Sequence, residues 1–414
     1  MPRRSAGRLM SRFPLPTVGM RSKSPIALCM LAVLTLVACE TGSRPAHTEQ
    51  HSQATTSSAG PATRSSRPSD ETTPDSGQCT RAEAIAALPL RDRLAQLLAV
   101  GVSAASADEA LSVVRSEQVG GLFLTGDATG LLTGGTLRQV RAAAPIPPMV
   151  AVDDEGGRVQ RVAALEGSIP SAREMAATMT PQQVYELALR RGKALADRGV
   201  TANFAPVLDV SSQPADTAIG DRSFSADPKV VTRYAGAFAR GMRDAGILPT
   251  FKHFPGQGHA QGDSHTGTAT TPPLAELAKV DLVPYRKLLD GDSGAAVMLG
   301  HLNVPGLTEP GVPASLSPAT VRLLREKLGF DGLIITDDLY AMDAIRDRYG
   351  LAEAARRALA AGVDMALMIN ADRLGPVLDH LTEAVATGTL PEKRVNEAVD
   401  HVLTAKHVDP CELG

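Results

Sequence analysis

The fourteen residues from Lys252 to His265, KHFPGQGHAQGDSH, hold a lysine, three histidines, three glycines and an aspartate directly after an apolar run. Each residue type has a use. An imidazole titrates near 6.5 and can give and then take a proton at neutral pH, and a carboxylate close by can orient its ring. Asp263 stands two residues before His265. Gly256, Gly258 and Gly262 suit a loop that must bend sharply. Further on, IITDDL ends an apolar run with two adjacent acids, Asp337 and Asp338. The same habit recurs at Asp153, Asp209, Lys252 with His253, and His301. An apolar strand that repeatedly closes on a charge points to one site assembled from several strand ends.

Those ends need a scaffold. Candidate strands are LLAVGV (97–102), GGLFLTG (120–126), PMVAVD (148–153), ANFAPVLDV (202–210), ILPTFKH (247–253), AAVMLGH (295–301), GLIITDD (332–338) and VDMALMI (363–369). Between them run stretches such as PQQVYELALRRGKALADRG, with apolar residues at helical spacing and glycine at the stop. Strands apolar throughout, each followed by a helix, predict a parallel sheet covered on both faces. Eight such units predict an α/β fold, a single closed (β/α)8 barrel of the TIM type. No Gly-x-Gly-x-x-Gly follows the first strand, which argues against an open dinucleotide-binding sheet.

Seven ordered blocks resemble the signatures of glycoside hydrolase family 3, and in particular its single-domain β-N-acetylglucosaminidase branch. They are VDDEGGRVQR (152–161), FAPVLDV (204–210), IGDRSF (219–224), KHFPGQG with DSH, PASLS (313–317), GFDGLIITDDLYAM (329–342) and AGVDMALM (361–368). The resemblance implies a barrel and a retaining mechanism with Asp337 as nucleophile, since a carboxylate can form a covalent glycosyl-enzyme and leave again. It implies His265 as general acid/base with Asp263 as its partner, and Asp153, Arg161, Arg222, Lys252 and His253 as sugar-binding residues. Period-two alternation turns Asp338 away from Asp337. Glu155, Asp209 and Glu174 are expected to fix loops or support the site. Position 257 is Gln where related motifs often have His, and 154 is Asp where Gln is common. The mechanism requires no cofactor. No His, Cys and carboxylate set shows metal-ligand spacing, although the closeness of His253 and His259 leaves a zinc alternative open.

The chain has 414 residues, 43% hydrophobic and 21% charged, with a net charge of −3, so nothing marks it for nucleic acid. Six basic residues between Arg3 and Lys23 precede an apolar run, Ile26 to Ala38, too short to span a bilayer. It ends in LVAC, which resembles the lipobox of bacterial lipoproteins. That likeness implies a signal peptide over residues 1–38 and diacylation of Cys39, a stable two-chain anchor on the outer face of the cytoplasmic membrane. Residues 39–78, rich in Ser, Thr and Pro, read as a disordered tether, and residues 79–414 as the catalytic barrel. Cys79 and Cys411, at the edges of that barrel, either pair, which export permits, or remain free thiols.

Aromatic residues make up 3% of the chain and there is no Trp. That suits a short polar pocket gripping one terminal sugar better than a long groove of aromatic platforms. The expected activity is exo-acting removal of terminal N-acetylglucosamine from peptidoglycan fragments by a monomer. The chain also stops short of the C-terminal domain that carries the acid/base in the family's multi-domain β-glucosidases. Phosphorolysis, a broader β-glucosidase activity and an inactive sugar-binding lipoprotein are the alternatives.

Overall fold

The computed structural model describes residues 79–291, 293–346 and 348–413. The expected signal peptide, lipidation at Cys39 and tether lie outside the described residues. Eight parallel strands form the centre: β1 (Leu98–Ser103), β2 (Gly121–Thr125), β3 (Met149–Val152), β4 (Ala202–Asn203), β5 (Leu248–Phe254), β6 (Ala296–Leu299), β7 (Ile334–Thr336) and β8 (Ala366–Met368). Each pairs with the next from β1 to β7, and β8 pairs with β1 through Leu98 opposite Ala366. The ring closes where Thr336 N–H donates to Met365 O at 3.0 Å and Leu339 N–H to Leu367 O at 3.0 Å. The predicted barrel is therefore observed, and each predicted strand run contains a barrel strand. The run 202–210 yields only two strand residues, because Pro206 has no N–H to extend the ladder.

Strand runs that are apolar on both faces are buried on both faces, as side chains inside a barrel and under a helical ring must be. The helix Pro181–Asp197 starts at a capping box, with Thr180 and Gln183 satisfying each other's backbone N–H, and carries Pro at its first position. The helix Pro228–Asp244 buries Val231, Ala235, Phe238 and Met242 and presents its charges outward. These two helices pack closely because the contact is built from small residues. A Cβ on Gly241 would lie 2.5 Å from the carbonyl oxygen of Tyr185, so a larger residue there must separate the helices. A disulfide joins Cys79 to Cys411 across a sequence separation of 332. Among the described residues no helix is long and apolar enough to cross a membrane.

Candidate active site

The strand ends converge on a cavity of about 210 Å³ lined by Asp153, Arg222, Lys252, His253, His265, Asp337 and Asp338. Its apolar wall includes Phe123 and Phe204, stacked with ring centroids 5.4 Å apart, and Met298, Met342, Leu367 and Ile369. The strands contribute their charges at or just beyond their C-terminal ends: Lys252 and His253 are within the last three residues of β5, and Asp153 and Asp337 directly follow β3 and β7.

Two buried cations share one buried acid. Arg222 grips Glu155 with Nε and Nη2 at 2.8 Å each, a bidentate pairing that fixes the guanidinium plane. Lys252 Nζ reaches Glu155 Oε1 at 2.6 Å and Asp153 Oδ1 at 2.7 Å. Burial pushes the Glu155 carboxyl up, but Arg222 and Lys252 outweigh it and hold the acid far below its usual range. Burial likewise opposes the charge on Lys252, and Asp153 and Glu155 overcome it, leaving the ammonium raised. Arg222, Glu155 and Lys252, drawn from two loops and the strand β5, thus lock one another in place, with Asp153 a quarter exposed toward the cavity.

Asp337 follows β7 directly. Its Oδ1 accepts the N–H of Asp338 at 2.9 Å, and its Oδ2 stands 4.0 Å from His253 Nε2. Burial raises the Asp337 pKa, while His253, His301, the Asp338 N–H and Lys252 lower it and win, so the carboxyl sits below its ordinary value. The part credited to His301 requires a charged ring, and burial pushes the pKa of His301 down. Its hydrogen bonds agree with a neutral ring. Nε2, 2.8 Å from the carbonyl oxygen of Asp338, must donate, and Nδ1 then accepts from Ser315 Oγ at 2.7 Å.

His253 is oriented from behind. Asp209, fully buried, lies 2.7 Å from its Nδ1 and also accepts the backbone N–H of Gln257 at 2.6 Å. The ring presents Nε2 to the cavity and to Asp337. Asp338 is spent on the backbone: its carboxylate accepts from the N–H groups of Tyr340, Ala341 and Ile369 at 3.2, 2.7 and 2.9 Å. It stitches the turn after β7 to the end of β8, and, against the expectation that alternation turns it to the opposite side, it lines the same cavity as Asp337.

His265 comes to the same cavity on a long loop between β5 and β6. Its Nδ1 is 2.7 Å from Asp263 Oδ1, which also accepts the His265 backbone N–H at 3.0 Å. Partial burial pushes Asp263 up and the bonds from His265 more than cancel it, so its pKa is lowered. The side chains are 54% and 38% exposed, in contrast to Asp337. The loop is tied down by Ala344 N–H donating to Ser264 O at 3.3 Å and by Gln257 Nε2 at 3.4 Å from Ser264 Oγ.

Of the predicted binding residues, Arg161 lies outside the cavity lining, with its Nη1 at 3.7 Å from exposed Asp127. His259 pairs with Asp281 at 3.0 Å, a different partner from the Asp209 that holds His253. Among the described residues no three His, Cys, Asp or Glu side chains gather as a metal site. Sequence reasoning overlooked Arg191, which pairs with buried Asp154 at 2.6 Å and holds the loop after β3. It also overlooked the apolar wall. The signal was faint: Phe204 opens the block FAPVLDV, but an aromatic ring at a strand end also reads as core.

A parallel eight-stranded barrel with these acids at its C-terminal mouth can host a glycosidase, and the family model for the glycosyl hydrolase family 3 N terminal domain matches residues 89–405. The chain belongs to glycosyl hydrolase family 3 and is a glycoside hydrolase, an enzyme that acts on carbohydrate. It is 47% identical over 393 residues to the beta-hexosaminidase LpqI of Mycobacterium tuberculosis, covering 93% of this chain and 97% of that one. A solved family 3 glycosyl hydrolase from Mycobacterium smegmatis superposes with a TM-score of 0.75 at 54% identity, covering 79% of this chain and 98% of the other. A family 3 beta-N-acetylglucosaminidase from Paenibacillus gives 0.72 at 32% identity, over 78% of this chain and 62% of that one. The family membership inferred from seven short blocks thus holds over most of the chain.

Proposed function

We propose that the protein is a retaining, exo-acting β-N-acetylglucosaminidase in which Asp337 attacks the anomeric carbon and His265 serves as general acid and then general base. The observation that carries this reading is that Asp337 and His265, reached from different loops, line one cavity together with Lys252, Arg222, Asp153 and His253. In the first half-reaction an ionised Asp337 displaces the aglycone, and His265 gives its proton to the leaving oxygen. In the second, His265 takes a proton from water as that water frees the sugar from Asp337. Asp263, 2.7 Å from Nδ1, holds the ring in one tautomer. Asp153, Lys252, Arg222 and His253 offer fixed acceptors and donors to the sugar hydroxyls, and Arg161 contributes from the periphery.

A cavity of about 210 Å³ is smaller than the roughly 300–1,000 Å³ of ordinary ligand pockets, so it suits one terminal residue. The relatives named beta-hexosaminidase support N-acetylglucosamine as that residue. Peptidoglycan fragments are the proposed source, met by a monomer anchored through lipid on Cys39 at the outer face of the cytoplasmic membrane. The test is a 2-deoxy-2-fluoro glycosyl fluoride: mass spectrometry of the labelled protein should place the sugar on Asp337. A label on any other residue overturns the mechanism. Faster release of nitrophenol from the glucoside than from the N-acetylglucosaminide overturns the substrate.

Phosphorolysis is the second reading, and the exposed His265 favours keeping it. An imidazole acid/base places no fixed negative charge beside the covalent intermediate, so phosphate could approach where a glutamate would repel it. Formation of sugar 1-phosphate in phosphate buffer decides between them.

A further inference from the structure

The opposite mouth of the barrel holds a second and larger cavity of about 580 Å³. It opens below the first residues of β3, β5 and β7, where Met149, Leu248 and Leu333 lie, and is walled on its far side by the end of the helix Glu392–Ala405 and the residues after it. Conserved chemistry in such barrels belongs to the other end, and this face ordinarily only supports the fold.

Its charges are unbalanced. Arg141, Arg243 and Lys406 line it, and the hydrogen bonds of all three go to neutral acceptors: Arg141 Nε to Pro148 O at 3.2 Å, Arg243 Nη1 to Ser293 O at 2.9 Å and Lys406 Nζ to Gln96 Oε1 at 2.6 Å. Among the described residues no carboxylate lies within ion-pair distance of any of them. His401 also lines the cavity but is engaged by Asp364 at 2.8 Å, and His407 and Asp331 stand exposed at the rim. The remaining wall is apolar, with Met149, Ile247 and Phe330. Arg243 is exposed, but Arg141 and Lys406 are half-buried, and holding them beside an apolar wall with no acid paired to either costs solvation and repulsion that a bound anion would relieve.

We propose that this basal cavity binds a phosphate-bearing small molecule, with the phosphate between Arg141 and Lys406 and any apolar portion on Met149, Ile247 and Phe330. Phosphate fits better than a carboxylate because it brings up to two negative charges and three acceptor oxygens to several cations. Burial, with Arg141 adding to it, pushes the Lys406 ammonium down to about 7, so the site would take up a proton as it takes up the anion. The phosphate could be free or belong to a lipid headgroup.

Calorimetry of the full chain with inorganic phosphate, and separately with dihexanoyl phosphatidic acid below its micelle concentration, tests this. Binding with a dissociation constant of about 1 mM or tighter is expected, weakened at least tenfold by Arg141→Gln and by Lys406→Gln, with nitrophenyl glycoside turnover unchanged. Equal affinity for the two probes identifies free phosphate as the ligand, and tighter binding of the phosphatidic acid identifies a lipid. No binding of either probe to the unaltered chain, or binding that both variants retain, overturns the proposal. Should Lys406→Gln fail to fold, Arg141→Gln and the unaltered chain still decide it.

Discussion

Asp337 and His265 reach one cavity from opposite kinds of support. Asp337 sits at a strand end, nearly buried, with its backbone N–H donating to Leu299 O of the neighbouring strand at 2.9 Å and its carboxylate beside Lys252 and His253. His265 rides on the irregular stretch 255–268 between β5 and the two-residue strand Ala269–Thr270, its side chain half exposed and its carboxylate partner two residues away in the same stretch. The proposed chemistry calls for this asymmetry. A nucleophile must stay ionised and point along one line at one carbon, and a rigid cationic surrounding provides both. A proton carrier must serve a leaving aglycone and then an incoming water, so a loop that can adjust is an advantage.

The largest effect should come from the rigid partner. Asp337→Asn removes the attacking charge and should lower kcat by about 10⁴-fold or more, with the fold intact by circular dichroism. The same residue sets a pH test. Its pKa is lowered in the folded state, so its charge, and activity with it, is present above the ordinary carboxyl value near 3.8 and lost only as pH falls below that. An acid limb of kcat/KM near pH 5 or 6 would contradict the electrostatic account of the site.

The mobile partner should be less costly and, unlike Asp337, sensitive to the substrate. His265→Ala should lower kcat by about 10²- to 10³-fold for an alkyl aglycone, whose departure needs a proton. With a dinitrophenyl aglycone, which leaves unassisted, the first step should be spared and the glycosyl-enzyme should accumulate, visible as a burst. Equal losses with both substrates would remove His265 from the proton path and break the contrast.

The two halves of the site also differed in how well sequence exposed them. The barrel was legible because eight apolar runs, each followed by a helical stretch, leave few other folds, and the strand-end charges were legible because charge after such a run is conspicuous. Asp337 and Lys252 are both of that kind. The distribution of work among the acids was not legible. Glu155 is the shared counter-ion of Arg222 and Lys252, and Asp154 is committed to Arg191, but three consecutive acids in VDDEGG look alike until the loop places them. The shortness of β4 was hidden for a related reason: FAPVLDV is apolar enough to read as strand, while its proline decides otherwise. The basal cavity was invisible because its cations come from segments hundreds of residues apart.

Glu155→Gln sharpens the comparison on the rigid side. It leaves Arg222 and Lys252 buried with one acid fewer, so the loss should appear as weaker sugar binding, with KM raised about tenfold and kcat changed less. A fall in kcat with KM unaltered would mean that Glu155 acts on the reacting bond.

The smallest expected effect tests the loop side, at Gln257. Its side chain reaches Ser264 Oγ at 3.4 Å, at the long limit of a hydrogen bond, so Gln257→Ala should cost no more than a weak bond, about a threefold drop in kcat. Its backbone N–H to Asp209 survives the change, so His253 should stay oriented and KM should hold. Because the second tie, from Ala344 to Ser264, also survives, the loop should loosen without detaching. The loss should be greater with the alkyl aglycone than with the dinitrophenyl one, since only the former depends on where His265 is held. A large loss common to both aglycones would show that this loop also positions the groups around Asp337, and the division into a fixed half and an adjustable half would fail.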